Sequence, residues 1–273
     1  MSECSHDCSS CSQNCGDREK PQNFLKPMNK YSNIKKVIGV VSGKGGVGKS
    51  LVSCLLASKC AKAGLKVGVL DADITGPSVP KSFGVNSRAM QDDEYLLPNV
   101  TKSGIKIMSI NLLLEDVNSP VVWRGPVISG VIEQFWTDVR WGNLDYLFVD
   151  MPPGTGDVAL TVFQSLPIDG IVIVSTPQDL VKMIVNKALN MAKMMNVPVL
   201  GLVENMSYFE CPDCGKKLEI FGKSAIDETA AELGLPVLAK LPVNPDINRL
   251  VDAGKIEDVD CTELDEFIEA LKQ

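Results

Sequence analysis

The sequence predicts an α/β protein built on a doubly wound, mostly parallel sheet, with a cysteine-rich tail ahead of it. Two patterns carry this. Short apolar runs without polar alternation recur between helical stretches, as expected of strands buried on both faces of a parallel sheet. Acidic or amide residues follow several of these runs directly, as ligand-binding residues do at the carboxyl ends of parallel strands.

In order, the strands are expected at Val37–Val41, Val67–Leu70, Ile105–Ile110, Tyr146–Val149, Ile171–Ser175, Val199–Val203 and Val237–Ala239. Helices are expected over residues 51–63, 127–139, 179–195, 224–233 and 262–271. The first places Leu51, Leu55, Leu56 and Ala63 among small or polar residues and stops at Gly64, a common helix terminator. Ser224 with Asp227, and Thr262 with Asp265, read as capping boxes with Asp in the acidic role. Residues 1–33 read as a polar tail and 34–273 as one domain; 84–104 and 111–124 carry no legible chemical motif.

Between the first strand and the first helix lies Gly43-Lys44-Gly45-Gly46-Val47-Gly48-Lys49-Ser50. It fits G-x-x-x-x-G-K-[ST] in the strand–loop–helix context that this phosphate-binding loop requires. Glycines let backbone N–H groups approach phosphates, and the helix N-terminus adds partial positive charge. Lys49 is the expected partner of the β- and γ-phosphates, and Ser50 of Mg²⁺. Lys44, directly after the first glycine, marks a narrower group in which that lysine reaches a partner subunit's nucleotide. Asp150 fits a strand-end carboxylate acting on Mg²⁺, and the following Pro152-Pro153-Gly154-Thr155-Gly156 suits a switch that moves on γ-phosphate loss. Asp73 is the candidate to orient or deprotonate the attacking water, with Asp71 in support. Asn205 follows the Val199–Val203 strand into the same region.

The 273 residues carry a formal net charge of −7, which disfavours broad nucleic-acid binding. No apolar run reaches the roughly 18 residues of a membrane span, and the polar N-terminus lacks the apolar core of a signal peptide. Cytoplasm is therefore the expected compartment, and nine cysteines there point to metal or redox use.

Cys211-Pro-Asp-Cys214-Gly215 brings two thiols together at a tight turn. Zinc sites and cubane clusters usually take four ligands. Three completions are open: a second copy of the chain, the Cys8-x-x-Cys11 pair as the other half of a zinc site, or none, leaving a thiol pair. The tail holds Cys4, Cys8, Cys11 and Cys15, enough for a second cluster or a zinc ion, with His6 as bystander or ligand. Cys54 and Cys60 fall on the first helix as packing residues, and Cys261 has no assigned role.

Taken in order, Lys44–Ser50, Asp71-Ala-Asp-Ile-Thr-Gly-Pro-Ser78, Asp150-Met-Pro-Pro-Gly-Thr-Gly-Asp157, Ser175-Thr-Pro-Gln178, Glu204-Asn-Met-Ser207 and Cys211-Pro-Asp-Cys214 resemble the Mrp/ApbC family of iron–sulfur cluster carrier ATPases. The loop alone also fits MinD, ParA and the nitrogenase iron protein. The resemblance implies ATP and Mg²⁺ as ligands and a homodimer in which Lys44 crosses the interface. It implies Asp73 in switch I, Asp150 at the start of switch II, Asn205 on adenine, and a [4Fe–4S] cluster shared through Cys211 and Cys214 for delivery to apoproteins. The alternatives are a MinD/ParA-like spatial organiser, an ATP-driven reductase, or a zinc-stabilised ATPase with a protein partner. The acidic C-terminal stretch 262–271 speaks against docking on anionic membrane.

Overall fold

The computed structural model describes residues 24–73, 78–92, 94–114, 125–154, 156–177 and 181–272. Along the chain run β1 (Ser32–Val41), α1 (Lys49–Lys62), β2 (Val67–Asp71), α2 (Ser78–Ser82), a hairpin of β3 (Met90–Asp92) and β4 (Tyr95–Leu97), β5 (Asn99–Val100), β6 (Lys106–Ser109) and α3 (Gly125–Thr137). Then follow β7 (Gly142–Asp150), α4 (Asp157–Ser165), β8 (Gly170–Ser175), α5 (Val181–Met194), β9 (Val199–Glu210), β10 (Lys217–Leu218), α6 (Ile226–Leu233), β11 (Val237–Pro242), α7 (Pro245–Asp252) and α8 (Asp265–Leu271).

The main sheet is ordered β10-β9-β8-β1-β7-β2-β6-β5, with β11 paired to β9. All its pairings are parallel except β10 with β9 and β5 with β6. The chain leaves β1, passes through α1 and returns two places away at β2, with β7 between them. Such a reversal of strand order opens a crevice at the carboxyl ends. Register brings the acidic strand ends together there: Asp71 is level with Asp150, and Asp150 with Val40.

Two apolar layers cover the sheet. Ile132, Phe135 and Trp136 of α3, Val162 of α4 and Val185 of α5 pack on one face. Val52, Leu55 and Leu56 of α1, Ile247 of α7 and Phe267 and Ile268 of α8 pack on the other. Fully buried side chains of this size each stabilise the fold by about 1.5–3 kcal/mol. Because α8 spends its apolar residues this way, none of them forms a free amphipathic face; Lys59 of α1 pairs with Asp265 at its start, and Tyr146 donates to the Leu271 carbonyl. Among the described residues, no helix is long and apolar enough to cross a membrane.

Several boundaries differ from the sequence expectations. β1 starts at Ser32 because Ser32–Lys36 pair with Gly142–Tyr146. β9 continues past Val203 to Glu210, supported by β11 and then β10. Neither expected capping box forms. Ser224 Oγ accepts from the Ile226 N–H, but Asp227 pairs with Lys240 instead of reaching back. Thr262–Leu264 is a 3₁₀ turn ahead of α8. Helices α4 and α7 were not anticipated, although Asn244 caps α7 by accepting from Asp246 N–H, with Pro245 following, a start signal present in the sequence.

Of the expected tail, residues 24–31 lie against the body. Lys26 N–H donates to the Ser165 carbonyl, Trp136 Nε1 donates to the Lys26 carbonyl, and Asn29 Nδ2 donates to the carbonyls of Thr137 and Val139. Cys4, His6, Cys8, Cys11 and Cys15 lie outside the described residues, as do 74–77, 115–124, Thr155 and 178–180.

Candidate nucleotide site and cysteine knuckle

The phosphate loop is shaped by what surrounds it. Gly46 and Gly48 adopt φ of +80°, a conformation that glycine enters without steric penalty. At Gly48 a side chain would also collide with Asn205, whose Nδ2 would lie 2.1 Å from an added Cβ. Gly48 caps α1 without a side-chain bond, so the first N–H groups of a 14-residue helix face the loop. Lys44 is exposed on the loop, and its carbonyl accepts from Ser42 Oγ at 3.0 Å.

Behind the loop, Asp150 is fully buried and accepts from Lys49 Nζ at 2.8 Å, Ser50 Oγ at 2.5 Å and Ser53 Oγ at 2.8 Å. Asp73 lies 3.5 Å from the same ammonium. Asp71 accepts from Ser109 Oγ at 2.9 Å and from the Asp73 N–H at 3.1 Å. Burial, and then the neighbouring Asp150 carboxylate, push the Asp71 carboxyl well above the usual range, against the pull of Ser109, Lys49 and the Asp73 N–H. Lys49 thus pairs with Asp150 and Asp73, while burial and the Asp150 charge disfavour ionisation of the adjacent Asp71. The donors around Ser50 and Asp150 are oxygens in a region of surplus negative charge, which suits a small hard cation such as Mg²⁺.

The segment after β7 is tied to the phosphate loop: Met151 N–H donates to the Val40 carbonyl and Gly154 N–H to the Ser42 carbonyl. On the other side of α1, Asn205 is buried and donates from Nδ2 to the Val47 carbonyl at 3.0 Å. It borders a cleft lined by Leu51 and Leu55, Met206, Pro242, Asn244 and Ile247. The structure therefore brings Lys49, Ser50, Asp71, Asp73 and Asp150 into one cluster, with Asn205 against the loop. Ser53 and Ser109 were missed in the sequence. Ser53 lies one helical turn after Lys49, and that spacing was the available signal.

The cysteine pair sits beyond β9. Cys211 N–H donates to the Lys216 carbonyl, and Gly215, at φ +68°, donates to the Cys211 carbonyl. This folds Cys211–Lys216 into a knuckle with Cys214 exposed and Cys211 partly so. Backbone N–H groups of Asp213 and Cys214, and then the Cys214 thiol, lower the Cys211 pKa. Leu218 and Ile220, on the chain returning from it, stand exposed, and Phe221 lines the cleft beside Asn205. Among the described residues, no group of three or more potential metal ligands gathers, so these two thiols would need ligands from elsewhere to complete a four-ligand site. Cys54, Cys60 and Cys261 are buried.

Residues 33–273 match the family described as "ParA: NUBPL iron-transfer P-loop NTPase". An iron–sulfur cluster carrier protein from Clostridium perfringens is 53% identical over 236 residues, covering 84% of this chain and 83% of its own. One from Methanocaldococcus jannaschii is 47% identical over 280 residues, covering 100% of this chain and 97% of its own. A solved nucleotide-binding protein from Archaeoglobus fulgidus, in complex with ADP and with Co, superimposes with a TM-score of 0.78 at 45% identity, over 86% of this chain and 92% of its own. With its loop, paired strand-end carboxylates and doubly wound sheet, the chain belongs to this family of iron-transfer P-loop NTPases.

Proposed function

We propose that the chain is an ATP-hydrolysing carrier that binds an iron–sulfur cluster as cargo and delivers it to apoproteins. The observation that carries this reading is that one strand, β9, serves both sites. Its Asn205 touches the phosphate loop, and the knuckle bearing Cys211 and Cys214 begins where the strand ends.

In this reading ATP lays its phosphates along the N–H groups of Gly45–Ser50. Lys49 leaves Asp150 for the β- and γ-phosphates, which frees Ser50 and Asp150 to hold Mg²⁺. When bound, Mg²⁺ neutralises charge on the phosphates. Asp73 orients the attacking water, and Asp71 supports the carboxylate shell from behind. The adenine enters the cleft beside Asn205; with Nδ2 committed to Val47, the amide oxygen is the group suited to accept from the exocyclic amine. Lys44 reaches the nucleotide of a second subunit, and closure assembles the charge that stabilises the transition state. The cluster lies between two knuckles related by the dimer axis, each giving two thiolates, and the exposed Leu218 and Ile220 supply apolar surface for that contact. The cysteines of the tail are proposed as a second cluster site. The packing of α8 against α1 favours this reading over membrane-surface switching.

The test is anaerobic reconstitution with iron and sulfide of the wild type and of a Cys211→Ser/Cys214→Ser variant, reading iron, sulfide, zinc and mass together. A brown dimer whose iron and sulfide fall in the variant is expected. A colourless protein that holds zinc through the same thiols would replace the carrier by a zinc-stabilised ATPase. Lys44→Ala is expected to retain nucleotide binding and lose hydrolysis; full hydrolysis in that variant would exclude the trans-subunit role.

A further inference from the structure

Glu204 is fully buried at the start of the Glu204-Asn205-Met206-Ser207 run, and neither the nucleotide chemistry nor the cargo site accounts for it. Its side chain accepts from Ser207 Oγ at 2.6 Å through one oxygen and from Ser224 Oγ through the other. No ion pair among the described residues includes it. A buried carboxylate is costly, and two hydroxyls could be held by a neutral side chain. What a carboxylate adds is that both its oxygens can only accept, so both serines must point at it.

Those serines stand at the two roots of one excursion. From Ser207 the chain runs out along β9 to the knuckle, returns through β10, and re-enters the body at Ser224, where the same hydroxyl accepts from the first N–H of α6. Glu204 therefore clamps the base of the element that carries Cys211 and Cys214. Its neighbour Asn205 faces the other way, onto the Val47 carbonyl of the phosphate loop. Between Asn205 and Ser207, Met206 is held at φ +57°, a left-handed conformation that a residue with a side chain rarely adopts. Held segments of this kind are suited to two arrangements rather than to gradual deformation.

We infer that Glu204 is the positioning residue that transmits nucleotide occupancy from Asn205 to the base of the cysteine knuckle. Nucleotide entering the cleft re-sets the Asn205 amide, the backbone at residues 205–206 follows, and the carboxylate carries that shift to both roots of the excursion. By linkage the coupling runs in both directions: a ligand that fixes the knuckle alters nucleotide affinity by the same factor. This rests on the reading of the Asn205 cleft as the base pocket, and it extends the proposed carrier function to a physical link between its two sites.

The experiment is hydrogen–deuterium exchange on the full chain with and without Mg-ATP, for wild type, Glu204→Gln and Ser224→Ala. It needs no cluster, so it remains readable if the chain binds no iron. In the wild type, nucleotide is expected to change exchange in peptides spanning 208–223 by about fivefold or more, the scale of a shift in local opening, alongside protection of the phosphate loop. In Glu204→Gln the phosphate loop should still be protected, with nucleotide affinity within about threefold of wild type, while the response at 208–223 disappears; Ser224→Ala should reduce it. A wild-type response at 208–223 that persists in both variants would overturn the assignment, as would a wild type whose phosphate loop responds while 208–223 does not. Should Glu204→Gln fail to fold, Ser224→Ala and Ser207→Ala, which remove one bond each and leave the carboxylate, decide the question alone. Failure of the base-pocket reading would show separately, as Asn205→Ala binding Mg-ATP like the wild type.

Discussion

Asp71 and Asp150 should have unequal sensitivities to amide substitution, and each should change the other's. In Asp150→Asn the shape survives. The amide oxygen can still accept from Lys49 and Ser53, and the amide nitrogen can donate to a reoriented Ser50 hydroxyl, replacing the three bonds that Asp150 accepts now. Each bond loses its charge assistance, at about 1 kcal/mol apiece, for a gross cost of about 3 kcal/mol. Part of this is offset, because the Asp150 charge that disfavours ionisation of Asp71 is gone, which leaves the Asp71 carboxylate as a counter-charge for Lys49. A net loss of about 1–2 kcal/mol follows, or roughly 5 °C in Tm for a domain of this size. Asp71→Asn in the wild type replaces a carboxyl whose ionisation burial and Asp150 already disfavour, and should cost less than about 1 kcal/mol. In the Asp150→Asn background the same change leaves the buried Lys49 facing Asp73 alone at 3.5 Å, and the cost should approach the 3–5 kcal/mol of an uncompensated buried charge. Thermal and urea unfolding of the four proteins without nucleotide gives the cycle, with an expected coupling of at least about 2 kcal/mol. Additive costs, or an Asp71→Asn loss above about 2 kcal/mol in the wild type, would mean that the Asp150 charge does not govern ionisation of Asp71 and that this account is wrong.

Gly48→Ala places a methyl group 2.1 Å from Asn205 Nδ2 at φ +80°. ATP affinity measured by calorimetry should fall about tenfold or more, and Asn205→Ala in the same chain should restore part of it by removing the clash but not the backbone strain. Native alkylation with iodoacetamide near pH 8, mapped by peptide, should mark Cys211 and Cys214 early. Cys60 and Cys261, with pKa values pushed up to about 12 chiefly by burial, should be marked only on unfolding; equal rates would show that these buried thiols are reached through opening of the fold. Asn29→Ala removes donors to the carbonyls of Thr137 and Val139 and the acceptor for Tyr31 N–H and Ser32 Oγ. It should cost about 2–4 kcal/mol, read as a lower Tm, with ATP hydrolysis unchanged at a temperature where both proteins are folded.

The nucleotide cluster was legible because its residues obey rules written in one dimension. Asp71 and Asp150 end apolar runs, and parallel pairing makes strand ends neighbours, so reading them as one site needed only the assumption of a sheet. Ser53 and Ser109 were not legible. A hydroxyl that braces a carboxylate is defined by the register of β6 beside β2 or by one turn of α1, and serine carries no mark of that role. The extension of β9 was hidden for a related reason. Asn205-Met206-Ser207 looks like the polar loop after a strand, and it is an irregular stretch bridged by the pairs Lys240 with Glu204 and Pro242 with Tyr208, which carry β9 past it. The two expected capping boxes failed because tertiary partners captured the acids: Lys240 took Asp227, and Lys59 took Asp265.

That hidden extension is what joins the two halves of the molecule. Had β9 ended at Val203, Asn205 and Cys211 would be separated by a loop, and movement at one would dissipate before reaching the other. A strand that resumes at Tyr208, with its carbonyl bonded to Val243 N–H and its end paired to β10, leaves one irregular stretch, Asn205–Ser207 with Met206 at φ +57°, between the phosphate loop and the knuckle. A rigid arm with one bend transmits displacement better than a loop does, because packed elements shift between discrete positions instead of deforming continuously. In the proposed coupling the exposed thiols and the buried Asn205 belong to one polypeptide segment, and among the described residues Glu204 is the side chain hydrogen-bonded to both roots of that segment.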